Sequence, residues 1–563
     1  MKRWFILAIV LLLGGAAIFW SERRKVDVPA GPAAVLYLIA DTEQELTRMP
    51  ARFTRMSDAD EIAIGNQIAR SYERGYQDND PEHAEVRRYV ETVGARLATH
   101  AHRKLPYKFH YLPDPWMINA FALPGGHVYI GEGLLSVMDS EDELAAVLGH
   151  EIEHIDHYHC AERVQQEQAL HQIPLGGFLS LPIELFEAGY SKNQELEADR
   201  EGTRLSVEAG YSPNGAIRMF ETFEALYQEY HVKSKTPQQE LTQTALDTLE
   251  GYFRSHPLPS ERIAQIQRMI ADERWQAVPE RNLQVAYIFW AHRAENAFSE
   301  HRYEKAAQLA ERSLKVKPNR NALQIVAQAE FAQAHFETAA RHYRQLLDLG
   351  DPQIKDARSF AIALALSDRR TAIAQFQQWM NAINGVEPKG LEVSLAGLSL
   401  LSGDSAPAKR QAALAQRDAQ INSSAWAPEA LAELAWWYYL SGDYTSAHDL
   451  IHDAIELRPS EEHFAMLQAW IDLQQRHLAE ASKSLSDIQN ASLSEKDMAQ
   501  AVMFWQEQYI DQALARFEIA AISQPEWRNP VWVRALYSPL VAESVEQMQR
   551  ETEHRKKKTV ALR

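Results

Sequence analysis

The sequence predicts an α+β fold that is mostly α: a small sheet set among helices in the first half, and an all-helical repeat array in the second. Three observations predict it. Tyr107–Leu112, Asn119–Leu123 and His127–Ile130 are short alternating runs, the last two separated by the turn Pro124-Gly125-Gly126. Apolar residues at helical spacing lie on both sides of them. Beyond about Leu283 the texture is helical throughout, and small residues recur at a fixed interval. At 563 residues the chain is too long for one ordinary domain. The expected division is a leader over 1–25, a lead-in over 26–56, a first globular domain over 57–270, a repeat domain over 271–545 and a basic tail over 546–563.

Lys2 and Arg3 precede an uncharged run from Trp4 to Trp20, 20 − 4 + 1 = 17 residues. As a helix it would reach about 26 Å at ~1.5 Å per residue, near the lower limit for a membrane span. Trp4 and Trp20 stand where an interfacial aromatic belt lies. The rival reading is a cleaved signal peptide, for which Gly15 and Ala17 offer a small-residue site before bulky Ile18, Phe19 and Trp20. Either one places the rest of the chain outside the cytoplasm. A helix pattern starts at Asp58, with Ile62, Ile64, Ile68 and Ala69 as its apolar positions. A second runs from about Pro81 to His100, where Val86, Val90, Val93 and Leu97 share one face. After the strands, Ser140 with Glu143 three residues on is a capping box, so a helix begins at Glu141 and should run to about Leu170. The stretch Ile173–Phe186, broken by Pro174, Gly176, Gly177 and Pro182, is a connecting loop or the cover of a cleft.

In the second half Ala306 stands twelve residues before Pro318, Ala447 before Pro459 and Ala513 before Pro525. Tyr303 and Tyr444 sit three residues before two of these alanines. Further alanines recur at 339 − 306 = 33, 372 − 339 = 33 and 481 − 447 = 34. Small residues at helix crossings with proline at the exit, at that period, are the tetratricopeptide pattern. About six repeats are legible. A generic helical bundle is the plainer reading.

Lys plus Arg is 58 and Asp plus Glu is 77, a net charge of 58 − 77 = −19, which argues against general nucleic-acid binding. The single cysteine, Cys160, excludes an intrachain disulfide and a four-cysteine zinc finger. A bound metal has to be held by His, Asp and Glu.

His150-Glu151-Ile152-Glu153-His154 supplies such ligands. Side chains at i and i+4 of a helix project side by side, so both imidazoles can reach one ion. Glu151 lies about 100° round the helix, close enough to hold a water without ligating. A catalytic zinc wants three protein ligands and an open position. The metzincin continuation fails, because residues 157 and 160 are His and Cys. Downstream, Glu195 and Asp199 are again i and i+4, so one can ligate while the other braces a histidine. An ordinary acidic helix face is the plain alternative.

Four segments in order carry a family resemblance: Asn119-Ala120-Phe121-Ala122-Leu123-Pro124-Gly125-Gly126, His150 to His154, Glu195 to Gly202, and His256-Pro257-Leu258-Pro259. Together they resemble the HtpX/CAAX-prenyl-protease-like zinc metallopeptidases, and among these the BepA-like periplasmic branch with tetratricopeptide tails. The resemblance implies a zincin domain with one zinc per chain, held by His150, His154 and Glu195, with Asp199 as helper. It implies that the strand after Gly126 is an edge that pairs with extended substrate, so Asn119, Gly126, His127, Val128 and Tyr129 would border the substrate. It also implies that His256 can approach the zinc as a fourth, regulatory ligand. Glu153 departs from the family, which usually has a small residue there, and His157 and His159 add imidazoles further along. A chain with at most one membrane span does not fit prenyl-protein processing.

The expected function is that of a gluzincin-like zinc metalloendopeptidase of the bacterial cell envelope, on its periplasmic face, with Glu151 as general base for a zinc-activated water. The repeats would hold protein substrates or partners, outer-membrane assembly proteins among them, and the leader would meet the membrane. The contrasting class is a chaperone or adaptor whose repeats do the binding and whose zinc site is latent or self-inhibited.

Overall fold

A computed structural model describes residues 56–73, 79–171, 190–233, 259–276, 278–350, 353–382, 388–421, 426–489 and 494–561. The N-terminal apolar run, the stretch 173–186 and His256 lie outside the described residues. No described helix is long and apolar enough to cross a membrane. The chain divides into two compact units between Leu283 and Gln284.

The first unit opens with α1 (Asp58–Glu73) and α2 (Pro81–Ala98). Asp80 caps α2 by accepting the N–H of Glu82, and the expected stripe of Val86, Val90, Val93 and Leu97 is buried. Three strands follow: β1 (Lys108–Leu112), β2 (Ala120–Leu123) and β3 (His127–Gly131). The order is β1-β3-β2, with β3 parallel to β1 and antiparallel to β2. The strand after Gly126 is therefore internal, not the edge that the resemblance implied. The physical reason is the turn. Gly125 and Gly126, at φ +78° and +111°, fold β3 straight back along β2, and the Lys108 N–H then donates to the Gly126 carbonyl, zipping β1 onto its other side.

α3 (Glu132–Leu135) leads to α4 (Glu141–Asp156), where Ser140 and Glu143 form both bonds of the capping box. α4 does not run on to Leu170. It stops at Asp156, and α5 (His159–His171) starts after Tyr158 at φ +63°. The stop has a long-range cause. The Asp156 carboxylate accepts the N–H groups of His102 and Arg103 at 2.6 and 2.8 Å. Arg103 in turn donates to the Ile155 carbonyl at 2.6 Å and lies 3.8 Å from the Tyr158 ring centroid.

α6 (Lys192–Glu208), capped by a Ser191–Gln194 box, α7 (Asn214–Lys233) and α8 (Pro259–Asp272) complete the unit. α4 and α6 touch backbone to backbone. A Cβ on Gly149 would lie 2.8 Å from the Gly202 carbonyl oxygen, and one on Gly202 would lie 2.7 Å from the His150 nitrogen. Two glycines thus set the depth at which these helices present side chains to each other.

The second unit is all helix among the described residues. Seven pairs succeed one another: Ala286–Ser299 with Tyr303–Val316, Arg320–Ala332 with Phe336–Asp348, Ile354–Ser367 with Arg369–Ala382, Pro388–Leu401 with Ala406–Ile421, Trp426–Ser441 with Tyr444–Leu457, Glu462–Gln475 with Leu478–Asp487, and Ser494–Gln506 with Ile510–Ser523. Connections of a few residues make each pair a hairpin. A left-handed residue closes the first helix in six of the seven: His301, Ala334, Gly403, Gly442, Arg476 and Gln508. The recurring alanines Ala306, Ala339, Ala372, Ala447, Ala481 and Ala513 are all at most 1% exposed, because they stand where helices cross. The periodicity undercounts by one. The pair at Pro388–Ile421 buries Ala408 in the same role, spaced 408 − 372 = 36 and 447 − 408 = 39 from its neighbours, so it falls off the period. The array is a tetratricopeptide solenoid, and one continuous apolar core runs from Leu323 through its last six pairs.

Candidate metal centre

Adjacent turns of α4 carry His150 and His154, whose Nε2 atoms stand 3.0 Å apart. The first turn of α6 carries Glu195. Its Oε2 is 3.4 Å from His150 Nε2 and its Oε1 is 3.6 Å from His154 Nε2. All three side chains are buried, and their ligand atoms lie within 4.8 Å of one another. Tyr190 fixes two of them. Its backbone N–H donates to Glu195 Oε1 at 3.2 Å, and its ring stacks on His154 with centroids 3.9 Å apart.

The outward nitrogens of both imidazoles are also engaged. His150 Nδ1 lies 2.9 Å from Asp199 Oδ1. Asp199 is gripped by Arg262 of α8, through Nε at 2.6 Å and Nη2 at 2.5 Å, and the guanidinium rests 4.3 Å from the centroid of the Phe220 ring. His154 Nδ1 lies 2.9 Å from His159 Nδ1, and His159 Nε2 lies 3.4 Å from Glu197 Oε2.

Electrostatics agree with this geometry. Burial resists a charged His150, yet the Asp199 and Glu195 carboxylates outweigh it and raise its pKa to about 10. The two carboxylates beside His150 give the pocket a negative charge that favours a cation. Burial likewise opposes charge on Asp199, but the Arg262 guanidinium and His150 hold it below the usual carboxylate range. Burial pushes Glu151 up to about 7, helped by Glu195 and resisted by His150 and Arg262, so its carboxyl is poised near neutral pH to exchange a proton. Two imidazole nitrogens and a carboxylate converging on one point form the donor set of a catalytic zinc with an open position, and these residues fit it.

His150, Glu151, Asp199 and Arg262 line one cleft together with Ala120 and Phe220. Of the five residues expected beside substrate, Asn119 immediately precedes Ala120, which lines this cleft. The Asn119 side-chain oxygen is buried and has no hydrogen-bond partner among the described residues. Gly126 makes the turn. His127 is held between His110, 3.0 Å from its Nδ1, and Asn66, 3.1 Å from its Nε2. Val128 and Tyr129 are fully buried in the sheet. Glu153 is buried beside His157, 3.2 Å from its Nε2, rather than among the converging ligands. Sequence reasoning missed Tyr190 and Arg262, and noted His159 without giving it a role. In an unbroken helix residue 159 would stand roughly 140° round from residue 154, so only the stop at Asp156 lets the two rings meet. Arg262 follows the His256–Pro259 segment and carries no local signal.

Residues 84–270 match the family described as Peptidase family M48. A provisionally named beta-barrel assembly-enhancing protease of Vibrio cholerae is 35% identical over 207 residues, 33% of this chain and 38% of that protein. The beta-barrel assembly-enhancing protease of Escherichia coli is 30% identical over the same length and shares. Mitochondrial metalloendopeptidase OMA1 of Schizosaccharomyces pombe is 35% identical over 148 residues, 24% of this chain and 44% of that one. The chain thus covers less than half the length of each of these three relatives.

Proposed function

We propose that this chain, which carries an M48 peptidase domain over residues 84–270, is a zinc-dependent endopeptidase of the bacterial cell envelope. The observation that carries the reading is the convergence of His150, His154 and Glu195 on one point, with Glu151 in the same cleft. The histidines and Glu195 would hold one zinc, which would activate water and polarise a peptide carbonyl. Glu151 would take the proton of the attacking water and return it to the leaving amine. Asp199 and Arg262 would keep His150 oriented.

Extended substrate would lie along β2. The Gly131 N–H donates to the Asn119 carbonyl, so in the antiparallel register Phe121 and Leu123 also face β3, and Ala120 and Ala122 turn their backbone groups outward. At Ala122 the Cys160 thiol already meets the carbonyl, at 3.6 Å. Ala120 faces the cleft, which makes it the residue to pair with substrate backbone, beside the Asn119 side chain. The repeats would bind protein substrates or partners, outer-membrane assembly proteins among them, and a part in beta-barrel assembly is suggested by the names of two relatives. His256, outside the described residues, is proposed as a fourth, regulatory ligand. His256→Ala should then raise basal proteolysis with zinc retained; unchanged basal activity removes it from regulation.

The test of the whole reading is casein cleavage by the zinc-loaded chain, with and without a chelator. One zinc per chain and chelator-sensitive cleavage are expected. A chain that binds zinc, binds unfolded protein and never cuts it would instead be an adaptor with a latent site.

A further inference from the structure

The second unit contains a cavity of about 240 Å³ walled by the aromatic rings of Trp436, Tyr439, Phe464, Trp470 and Tyr537, with Glu495 in its lining. Glu495 Oε1 accepts hydrogen bonds from the Trp470 indole N–H at 2.9 Å and the Tyr537 hydroxyl at 3.1 Å. Both donors are neutral. Among the described residues no Lys, Arg or His is paired with Glu495. The other charged groups at this cavity do have counter-ions. Glu429 is paired with Arg458 at 3.0 Å, His463, also in the lining, lies 3.5 Å from Glu429 and 3.7 Å from Glu461, and Arg358 lies 3.8 Å from Glu433.

Burial holds the Glu495 carboxyl above its usual range, against the pull of its two hydrogen bonds. A carboxylate in such a place lacks the cation that would compensate it. Aromatic faces around it attract cations as well, and they pack well against methylene stems or a flat guanidinium. Apolar ligands would satisfy the rings and leave Glu495 uncompensated. Anions would meet it directly. A cation on an apolar stem is the occupant that satisfies both features.

We propose that this cavity takes a lysine or arginine side chain of an extended polypeptide, its charge against Glu495 and its stem against the aromatic walls. The inference rests on reading the repeat unit as a polypeptide-binding scaffold, and gives that scaffold a chemical preference.

The test titrates the full chain with fluorescein-labelled Gly/Ser peptides of equal length carrying one central lysine, arginine, norleucine or glutamate. The net charge of −19 attracts any basic peptide, so Glu543→Gln, which removes one charge from an exposed position, is the control. Lysine and arginine peptides should bind on the order of 10-fold more tightly than the norleucine peptide. Glu495→Gln should abolish that preference, and Glu543→Gln should leave it intact. The glutamine can still accept from Trp470 and Tyr537, so the fold should hold. If its Tm nevertheless falls, Trp436→Leu decides, and a several-fold loss of the lysine preference is expected there. Equal binding of the lysine and norleucine peptides would overturn the cation site while leaving the scaffold reading standing. Equal loss of preference in Glu495→Gln and Glu543→Gln would reduce it to general surface charge. No binding of any peptide up to ~1 mM would overturn both readings.

Discussion

The two units of this chain are stabilised by opposite means. In the first, functional groups are buried and each depends on another: Arg262 holds Asp199, Asp199 meets His150, and His150 faces His154 and Glu195. In the second, an alanine at a crossing and a left-handed residue at a turn recur from pair to pair. A network whose members share partners responds non-additively to substitution, whereas stacked repeats respond locally. The metal unit should therefore fail as a whole at single positions, and the solenoid should lose stability in small, independent steps.

The largest break expected is at Glu151. Glu151→Gln keeps the shape and removes the base, so proteolysis should fall by ~10²–10⁴-fold while zinc content and Tm stay near those of the parent chain. Steady-state cleavage beside metal analysis checks it, and undiminished turnover would take Glu151 out of the mechanism.

Next comes Arg103, which the sequence does not single out. It pairs with fully buried Glu61 at 2.5 Å and holds the end of α4. Arg103→Met should cost about 3–5 kcal/mol, because Glu61 is left as a buried, unpaired charge. Urea unfolding measures this. The double variant with Glu61→Gln should recover part of the loss; if it loses the two single costs summed, the pair is not the cause.

These two residues mark how far the sequence reaches. His150, Glu151 and His154 are legible because helical spacing alone aims them together, and Glu195 with Asp199 follows the same rule on a second helix. The Ser140 cap is equally local, and it forms. What escapes is set across the sequence. His102 and Arg103, some fifty residues away, stop α4 at Asp156, which turns His159 inward. The strand order fails for a related reason: alternation shows that β3 is a strand but not that β1 and β2 both claim it. The seventh repeat was hidden by irregular spacing at Ala408, since a period shows only the copies that keep it.

His159 sharpens the contrast at a smaller scale. If His154 held zinc through Nε2, its ring proton would sit on Nδ1 and donate to His159 Nδ1, and His159 would present its remaining N–H to Glu197. His159→Ala should weaken zinc binding by ~10–100-fold, read by competition with a chromogenic chelator. His159→Asn, whose amide oxygen can stand in for Nδ1, should lose less. With Glu197→Gln added to His159→Ala, the further loss should be less than Glu197→Gln produces alone. Strict additivity would mean that the two residues do not act in series.

The smallest effect belongs to the solenoid and tests its side of the comparison. Gly442 and Arg476 occupy the same place in successive repeats, at φ +87° and +61°. Left-handed backbone is free for glycine and costs an L-residue roughly 1–2 kcal/mol. A Cβ on Gly442 would meet nothing within 4 Å, so only the backbone term separates glycine from alanine there. Arg476 is exposed. Gly442→Ala should therefore destabilise by about 1 kcal/mol. Arg476→Gly should stabilise by roughly half that, because the more flexible unfolded chain offsets part of the relief. Both should leave zinc affinity and casein cleavage unchanged. Combined, they should sum to within ~0.5 kcal/mol in urea unfolding, since they close separate hairpins. A shift of zinc affinity in either variant, or a double variant far from the sum, would show that the solenoid is coupled to the metal unit or to itself more tightly than stacked repeats allow.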